Sequence, residues 1–225
     1  MTEDKYVALR EDMVKYQIER RGITKPELLA VLRQVPRHLF VPGDVVNMAY
    51  EDGPLPIGSE QTISQPYIVA LMTSLLALEG DENVLEVGTG SGYQAAILAG
   101  LVKTVHTIER HQALADRSQK ILNDLGIDNV FVHVGDGSKG WIDAAPYKAV
   151  IITAAAPKPP EPILQQMDEG ARLVLPVGAR GSQELQLWKR EGEHYSSESI
   201  IPVAFVPLRG EHGWDAEKWN GLAYN

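Results

Sequence analysis

Apolar positions along the chain follow two periods, and the change from one to the other divides it. Residues 3–21 read as a helix, with Thr2 placed as an N-cap and Gly22 as the stop. Thr24-Lys25-Pro26-Glu27 has the form of a capping box with proline in the first turn. It opens a second helix with Leu28, Leu29, Leu32 and Val35 along one side, ended by Pro36. Between 41 and 64 the pattern is irregular, with breakers at Pro42-Gly43, Gly53-Pro54, Pro56 and Gly58. Long loops that persist inside compact domains are often binding loops or lids. A third helix, 66–78, starts at Pro66, presents Ile68, Leu71, Met72, Leu75 and Leu76 to a core, and is closed by Gly80.

Beyond residue 80, short apolar runs alternate with helical stretches. Val84, Leu85 and Val87 mark a buried strand, followed by 102–108, an amphipathic helix at 112–125, and strands at 130–134 and 149–153. A proline-rich corner and a short helix through Met167 lead to a strand at 172–177. The last two runs, 185–190 and 200–206, leave no room for a helix between them and should pair antiparallel. This order predicts an α/β fold: a doubly wound, mostly parallel sheet covered on both faces and closed by a hairpin, with an N-terminal helical extension.

At 225 residues the chain suits one domain, 1–225, with N-terminal helices and an irregular loop over 1–60, a core over 61–214 and a tail over 215–225. The tail carries Trp219 and Tyr224 and is expected to dock on the body. Lys and Arg total 21 against 30 Asp and Glu, a formal charge of −9 that argues against nucleic acid as partner. Cysteine is absent, which removes disulfides, thiolate catalysis and cysteine metal sites and fits a cytoplasmic setting. The polar N-terminus shows no signal peptide, and no apolar run approaches the ~20 residues of a membrane span.

The chemistry centres on Val87-Gly88-Thr89-Gly90-Ser91-Gly92-Tyr93, a glycine turn between the first core strand and the helical Gln94-Ala95-Ala96-Ile97-Leu98-Ala99. Such a unit seats a nucleotide beyond the carboxyl ends of the strands. The dinucleotide fingerprint requires a third glycine where Tyr93 stands. The tighter G-x-G-x-G spacing is instead that of proteins holding S-adenosylmethionine. Glu109 follows the second strand 21 positions after Gly88, close to the ~20-residue interval at which an acid meets ribose hydroxyls. Gly135-Asp136-Gly137 lets backbone approach a flat ring, with Asp136 placed to accept from an adenine amino group. Glu86 either reaches the amino-acid end of the cofactor or anchors the loop. The six histidines have no metal-ligand spacing, so no metal is expected. In Thr62-Ile63-Ser64-Gln65-Pro66, Ser64 or Gln65 caps the helix that Pro66 begins, or the Ser64 hydroxyl holds a substrate against the cofactor.

These blocks resemble the protein-L-isoaspartate O-methyltransferases over about 22–214. Gln61-Thr62-Ile63-Ser64-Gln65-Pro66, the glycine turn, Val134-Gly135-Asp136-Gly137, Ala154-Ala155-Ala156-Pro157, Leu173-Val174-Leu175-Pro176-Val177-Gly178 and Phe205-Val206-Pro207-Leu208 occur in the family's order. The glycine block is shared by many methyltransferases, whereas Thr-Ile-Ser-Gln-Pro and Ala-Ala-Ala-Pro are far more selective. Tyr67 stands where some members have histidine, and Arg209-Gly210 where some place threonine.

The resemblance implies a Rossmann-like, seven-stranded methyltransferase sheet whose last two strands are swapped relative to most methyltransferases. It implies a protein repair enzyme that moves the methyl of S-adenosylmethionine to the α-carboxylate of L-isoaspartyl residues in damaged proteins and peptides. The product cofactor is S-adenosylhomocysteine, and the ester then cyclises to a succinimide. The family's active-site serine falls on Ser64. Its cofactor contacts fall on Gln61, Thr62, Ile63, Ser64, Gly88, Thr89, Gly90, Glu109, Arg110, Asp136 and Gly137. The backbone near Ile57-Gly58 and at 154–157 is the expected cradle for the substrate main chain. Two other readings share the glycine turn: a methyltransferase for another carboxylate or a small molecule, and a non-catalytic S-adenosylmethionine-binding module.

Overall fold

A computed structural model describes residues 2–219. Its main sheet has seven strands: β3 (Asn83–Val87), β4 (Thr104–Glu109), β5 (Val130–Val134), β6 (Tyr147–Ile152), β7 (Met167–Ala179), β8 (Ser182–Glu191) and β9 (His194–Val203). They lie side by side in the order β5-β4-β3-β6-β7-β8-β9. The first five run parallel, while β8 and β9 are antiparallel to their neighbours. The last two strands therefore sit in chain order, which is the swapped arrangement implied by the resemblance.

Both faces of the sheet are buried, so neighbours along one strand serve different cores. On β3, Val84 enters the cluster that includes Ile97, Leu98 and Val105. The next residue, Leu85, enters the one with Ile108, Ile152 and Leu173. Each fully buried aliphatic side chain of this kind contributes roughly 1.5–3 kcal/mol relative to exposure. Helix α4 (Tyr93–Ala99) is almost wholly buried, because it lies between the sheet and the N-terminal helices. Gly100 permits that approach: a Cβ there would stand 2.8 Å from the methyls of Val31 on α2 (Pro26–Gln34).

The helical run at 3–21 is present but changes pitch. It begins as α1 (Glu3–Asp12), opens into a π-helix over Met13–Ile18 and tightens to 3₁₀ over Glu19–Arg21. Gly22, at φ 90°, stops it as expected. The expected side-chain caps do not form. Thr2 caps only through its carbonyl, which accepts from the Lys5 and Tyr6 amides. Helix α2 begins at Pro26 with Lys25 as N-cap, so Thr24 lies too far out to close a capping box.

The stretch expected to be irregular contains a hairpin. Strands β1 (Leu55–Gly58) and β2 (Gln61–Ile63) pair around a turn in which Ser59 and Glu60 both take positive φ, 51° and 59°. Two successive left-handed residues are the geometry of the tight hairpin turn whose twist matches the strands. Helix α3 (Pro66–Leu75) ends earlier than expected because Ala77 turns left-handed at φ 52°. Strand β7 in turn starts at Met167, through its pairing with Tyr147, and takes the place of the end of the expected helix. At the C-terminus, the Trp219 ring is buried 5.8 Å from that of Trp214. Tyr224 lies outside the described residues.

Candidate functional site

The order of the sheet reverses at β3, which pairs with β4 on one side and β6 on the other. Beyond the carboxyl ends of these strands lies a cavity of about 790 Å³, the expected ligand position in such a sheet. Gly88 leaves β3 at φ 99° and Gly90 continues at φ 53°. No side chain fits at Gly88, because the Thr153 hydroxyl occupies that space and donates to the Gly88 carbonyl at 2.7 Å. On the far wall a Cβ at Gly137 would stand 2.6 Å from a methyl of Val87.

Glu109 binds the turn from below. One carboxylate oxygen accepts the Gly90 N–H at 2.9 Å and the other accepts the His111 N–H at 2.9 Å. A carboxylate offers about four lone-pair sites, so two remain for hydroxyl donors in the cavity. Asp136 is more fully engaged. Its Oδ1 accepts the Ser138 N–H and hydroxyl at 3.0 and 2.6 Å, and its Oδ2 accepts the Glu211 N–H at 2.9 Å. It thus clamps the turn after Arg209 onto the third strand's loop.

Asp136, engaged in this way, does not line the cavity. The other predicted residues separate into three groups. Gln61, Thr62, Gly88, Gly90, Glu109, Arg110 and Gly137 line the cavity. Ser64 lies in an adjoining chamber of about 440 Å³, with Gln65 and Ile68. Thr62, Thr153, Ala204, Phe205 and Val206 border both spaces. Ile63 and Thr89 are buried behind the walls instead. The Thr89 hydroxyl meets that of Thr107 at 2.7 Å, and Thr107 donates to Glu86 at 2.6 Å. Glu86 is fully buried, and burial pushes its carboxyl up to about 8, so it is largely protonated at neutral pH. This network anchors the turn from inside the sheet.

Helix α3 has Gln65 at its N-cap with no side-chain capping bond. The Gln65 amide instead donates to the Asp52 carboxylate at 2.8 Å. The capping role for Ser64 or Gln65 is therefore not realised, and Pro66 at the first helical position removes one N–H that would need it. Within 154–157, the backbone groups of Ala155 and Ala156 are likewise occupied. The Ala155 N–H donates to the Val206 carbonyl at 2.8 Å, and the Ala156 N–H to that of Pro176 at 2.9 Å. The Ala155 and Ala156 carbonyls accept from Leu208 and Gly178. These groups stitch strands together and are not free to hold a substrate main chain.

Gln183 was not evident as a site residue. Its amide donates to the Phe205 carbonyl at 3.1 Å and accepts the Phe205 N–H at 2.7 Å, fixing the lip between the two chambers. Its signal in the sequence is a polar residue in the inward row that continues with Leu185.

Comparison with known proteins places this arrangement. The family model described as protein-L-isoaspartate(D-aspartate) O-methyltransferase matches residues 8–213. A protein-L-isoaspartate O-methyltransferase of Methanospirillum hungatei is 51% identical over 208 residues, 92% of this chain and 96% of the relative. One from Trichlorobacter lovleyi is 52% identical over 206 residues, 91% of this chain and 95% of the relative. Among solved structures, a protein-L-isoaspartate O-methyltransferase superposes with a TM-score of 0.83 at 25% identity, covering 91% of this chain and 67% of that one. A Plasmodium falciparum structure in complex with S-adenosyl-L-homocysteine gives a TM-score of 0.77 at 22% identity, covering 89% and 98%, and shows the shared fold.

Proposed function

The chain belongs to the protein-L-isoaspartate(D-aspartate) O-methyltransferase family, and from that premise we propose how its two chambers divide the family's reaction. The reaction is transfer of a methyl group from S-adenosylmethionine to the α-carboxylate of an L-isoaspartyl residue in a damaged protein or peptide. The larger chamber takes the cofactor and the smaller takes the acceptor. The observation that carries this reading is Ser64: the residue lines the second chamber, and its hydroxyl takes no part in capping the helix beside it.

The residues of the larger chamber fit the cofactor. A turn of left-handed glycines admits close approach, a carboxylate with two unused lone-pair sites can take ribose hydroxyls, and Val87, Ile108 and Leu208 supply apolar wall. In this reading Glu109 holds the ribose, while the Gly137 backbone lies against the adenine with Asp136 beside it. Gln61, Thr62 and Arg110 complete the walls. Thr89 and Ile63 act from behind, by setting the backbone of their segments.

Bound S-adenosylmethionine supplies an electrophilic methyl on sulfur that is already a good leaving group. The acceptor needs no base, because an α-carboxylate with pKa ~3.3–3.7 is ionised at neutral pH. What the protein contributes is alignment and exclusion of water. The Ser64 hydroxyl donates to one carboxylate oxygen and leaves the other free to attack. Thr62 and Thr153, which border both chambers, lie where the reacting atoms meet. Ring closure of the methyl ester to the succinimide follows from the better leaving group and requires no further residue.

The same proposal has damaged proteins as partners, no nucleic acid, and a cytoplasmic setting. The protein partners rest on the family match, the exclusion of nucleic acid on the formal charge of −9, and the compartment on the absence of cysteine. Matched isoaspartyl and aspartyl peptides with methyl-labelled cofactor test the proposal. Label should enter only the isoaspartyl peptide as a base-labile ester. Labelling of both alike, or of neither, would refute it.

A further inference from the structure

Arg37 is the largest fully buried side chain of the described residues, at 0% exposure, and the reaction as described makes no use of it. It lies in the 3₁₀ turn Arg37–Phe40 that follows α2, far in sequence from the glycine turn. Its Nε donates to the Ala49 carbonyl at 2.8 Å, and its Nη2 donates to the Ser64 carbonyl at 2.8 Å. The guanidinium carbon stands 4.9 Å from the centroid of the Tyr93 ring, so the cation rests against the first residue of α4. Among the described residues its Nη1 has no partner. The phenols of Tyr93 and Tyr50 act on the guanidinium, and among the described residues it forms no salt bridge with a carboxylate. Burial brings its pKa down to about 10, which leaves it charged at neutral pH.

A buried cation without a counter-ion is an expensive way to fill space. Replacing buried charges by apolar residues of similar volume is often neutral or stabilising. If the fold required only volume between α2, α3 and α4, a methionine or leucine would serve. A guanidinium differs in presenting a rigid fork of donors, and two of them reach separate loops. One of those loops carries Ser64. A positive charge in a poorly screened interior also favours an anion placed nearby more strongly than the same charge would in water.

We propose that Arg37 is a positioning residue for methyl transfer: its fork fixes the Ser64 carbonyl, and so the hydroxyl of the same residue, while its uncompensated charge favours an anionic acceptor in the adjoining chamber. This rests on the reading of Ser64 given above. The uncharged walls of that chamber, Pro54, Ile68, Val203 and Phe205 among them, provide no other cation for the carboxylate. The Arg37 guanidinium is bonded directly to the backbone of one of the lining residues, Ser64.

The test compares Arg37→Met, Arg37→Lys, Ser64→Ala and the double variant Arg37→Lys/Ser64→Ala. Thermal melts come first, because Arg37 also ties down Ala49, and rates are taken per folded molecule below the lowest melting temperature. Arg37→Met should lower kcat/KM for an isoaspartyl peptide by about 10- to 100-fold, the size expected for losing a hydrogen bond to a charged group. S-adenosylmethionine affinity should change by less than about threefold, within the scatter of distant substitutions. Arg37→Lys, which keeps charge and loses the fork, should fall between wild type and Arg37→Met, and it decides the matter if Arg37→Met does not fold. In the Ser64→Ala background, Arg37→Lys should add less than about a twofold loss, the non-additivity expected of residues acting as one unit. Wild-type kcat/KM in folded Arg37→Lys and Arg37→Met would overturn the inference, as would losses that multiply in the double variant. A Ser64→Ala variant with full activity would instead refute the reading of Ser64, and the assignment of Arg37 with it.

Discussion

Glu109 accepts the backbone N–H of Gly90 at 2.9 Å, which ties the acid at the end of β4 directly to the turn at the end of β3. The residue therefore has a structural duty as well as a binding one. Glu109→Ala should lower S-adenosylmethionine affinity by on the order of 1–3 kcal/mol, through the lost ribose bonds and the freed turn. It should also lower the melting temperature, since the Gly90 and His111 amides both lose an acceptor. Calorimetry and melts on one preparation check both effects. Unchanged affinity in the folded variant would remove Glu109 from the cofactor site.

Gly210 is held at φ 141° beside the Asp136 carboxylate and the Ser138 hydroxyl, both of which stand where a Cβ would project. Gly210→Ala should destabilise the protein by on the order of 1–3 kcal/mol, combining overlap with a backbone conformation that alanine disfavours. Because the same turn follows Arg209 on the cavity wall, cofactor affinity should weaken as well. A wild-type melt and wild-type affinity together would show that the turn does not depend on this contact.

Much of this architecture could be read from the chain, because a parallel sheet buried on both faces leaves unbroken apolar runs such as Val84-Leu85 and Val150-Ile151-Ile152. Glu109 and the glycines were legible for a related reason, since the strand-turn-helix unit fixes what lies at its end. The β1–β2 hairpin was not. Its strands are short, contain Pro56, and turn through Ser59-Glu60, where glycine or asparagine would have been the signal. The caps failed because local side-chain chemistry competes with tertiary partners: Gln65 turns to Asp52, and the Asp52 carboxylate also pairs with Arg21. Arg37 and Gln183 were invisible because their partners are backbone groups 27 and 22 positions away, which no local pattern announces.

His106 and His133 stand on adjacent parallel strands with Nδ1 and Nε2 3.0 Å apart, and His133 stacks on Trp141 at 3.9 Å. Burial, and then the charge of His133, holds His106 below the ordinary histidine range. Burial also lowers His133, against the pull of Asp143. His38 is lowered in the same direction by burial and by Arg10, opposed by Glu3. With folded pKa values below the unfolded one, the unfolded chain binds more protons on acidification. The histidines' contribution to stability should therefore be level above about pH 7 and decline as pH falls through the unfolded histidine value of ~6.5. Glu86, raised to about 8 by burial, contributes in the opposite sense and adds stability as pH falls below that value. His133→Gln should flatten part of the histidine decline. Melting temperatures that change equally in both proteins between pH 8 and pH 5 would exclude the pair as a source.

Ser64 can now be tested without the ambiguity that a capping role would bring. A cap replaced by alanine loses ~0.5–2 kcal/mol of stability, but α3 begins at Pro66 with no side-chain bond from either preceding residue. Ser64→Ala should therefore leave the melting temperature close to wild type. Cofactor affinity should also change little, because Ser64 lines the acceptor chamber and the walls of the larger cavity are untouched. Turnover of an isoaspartyl peptide should fall by one to two powers of ten, since an orienting bond to a charged group is worth ~1.5–3 kcal/mol. Ser64→Thr should recover part of the rate, because the hydroxyl returns with one added methyl. Unaltered turnover in folded Ser64→Ala would assign the acceptor's alignment to other groups in the chamber. A large fall in melting temperature would instead mean that the hydroxyl supports the start of α3 after all. With stability and cofactor binding both preserved, a loss of rate lies with the acceptor, and a fall in kcat at saturating peptide assigns it to alignment of the carboxylate with the methyl group.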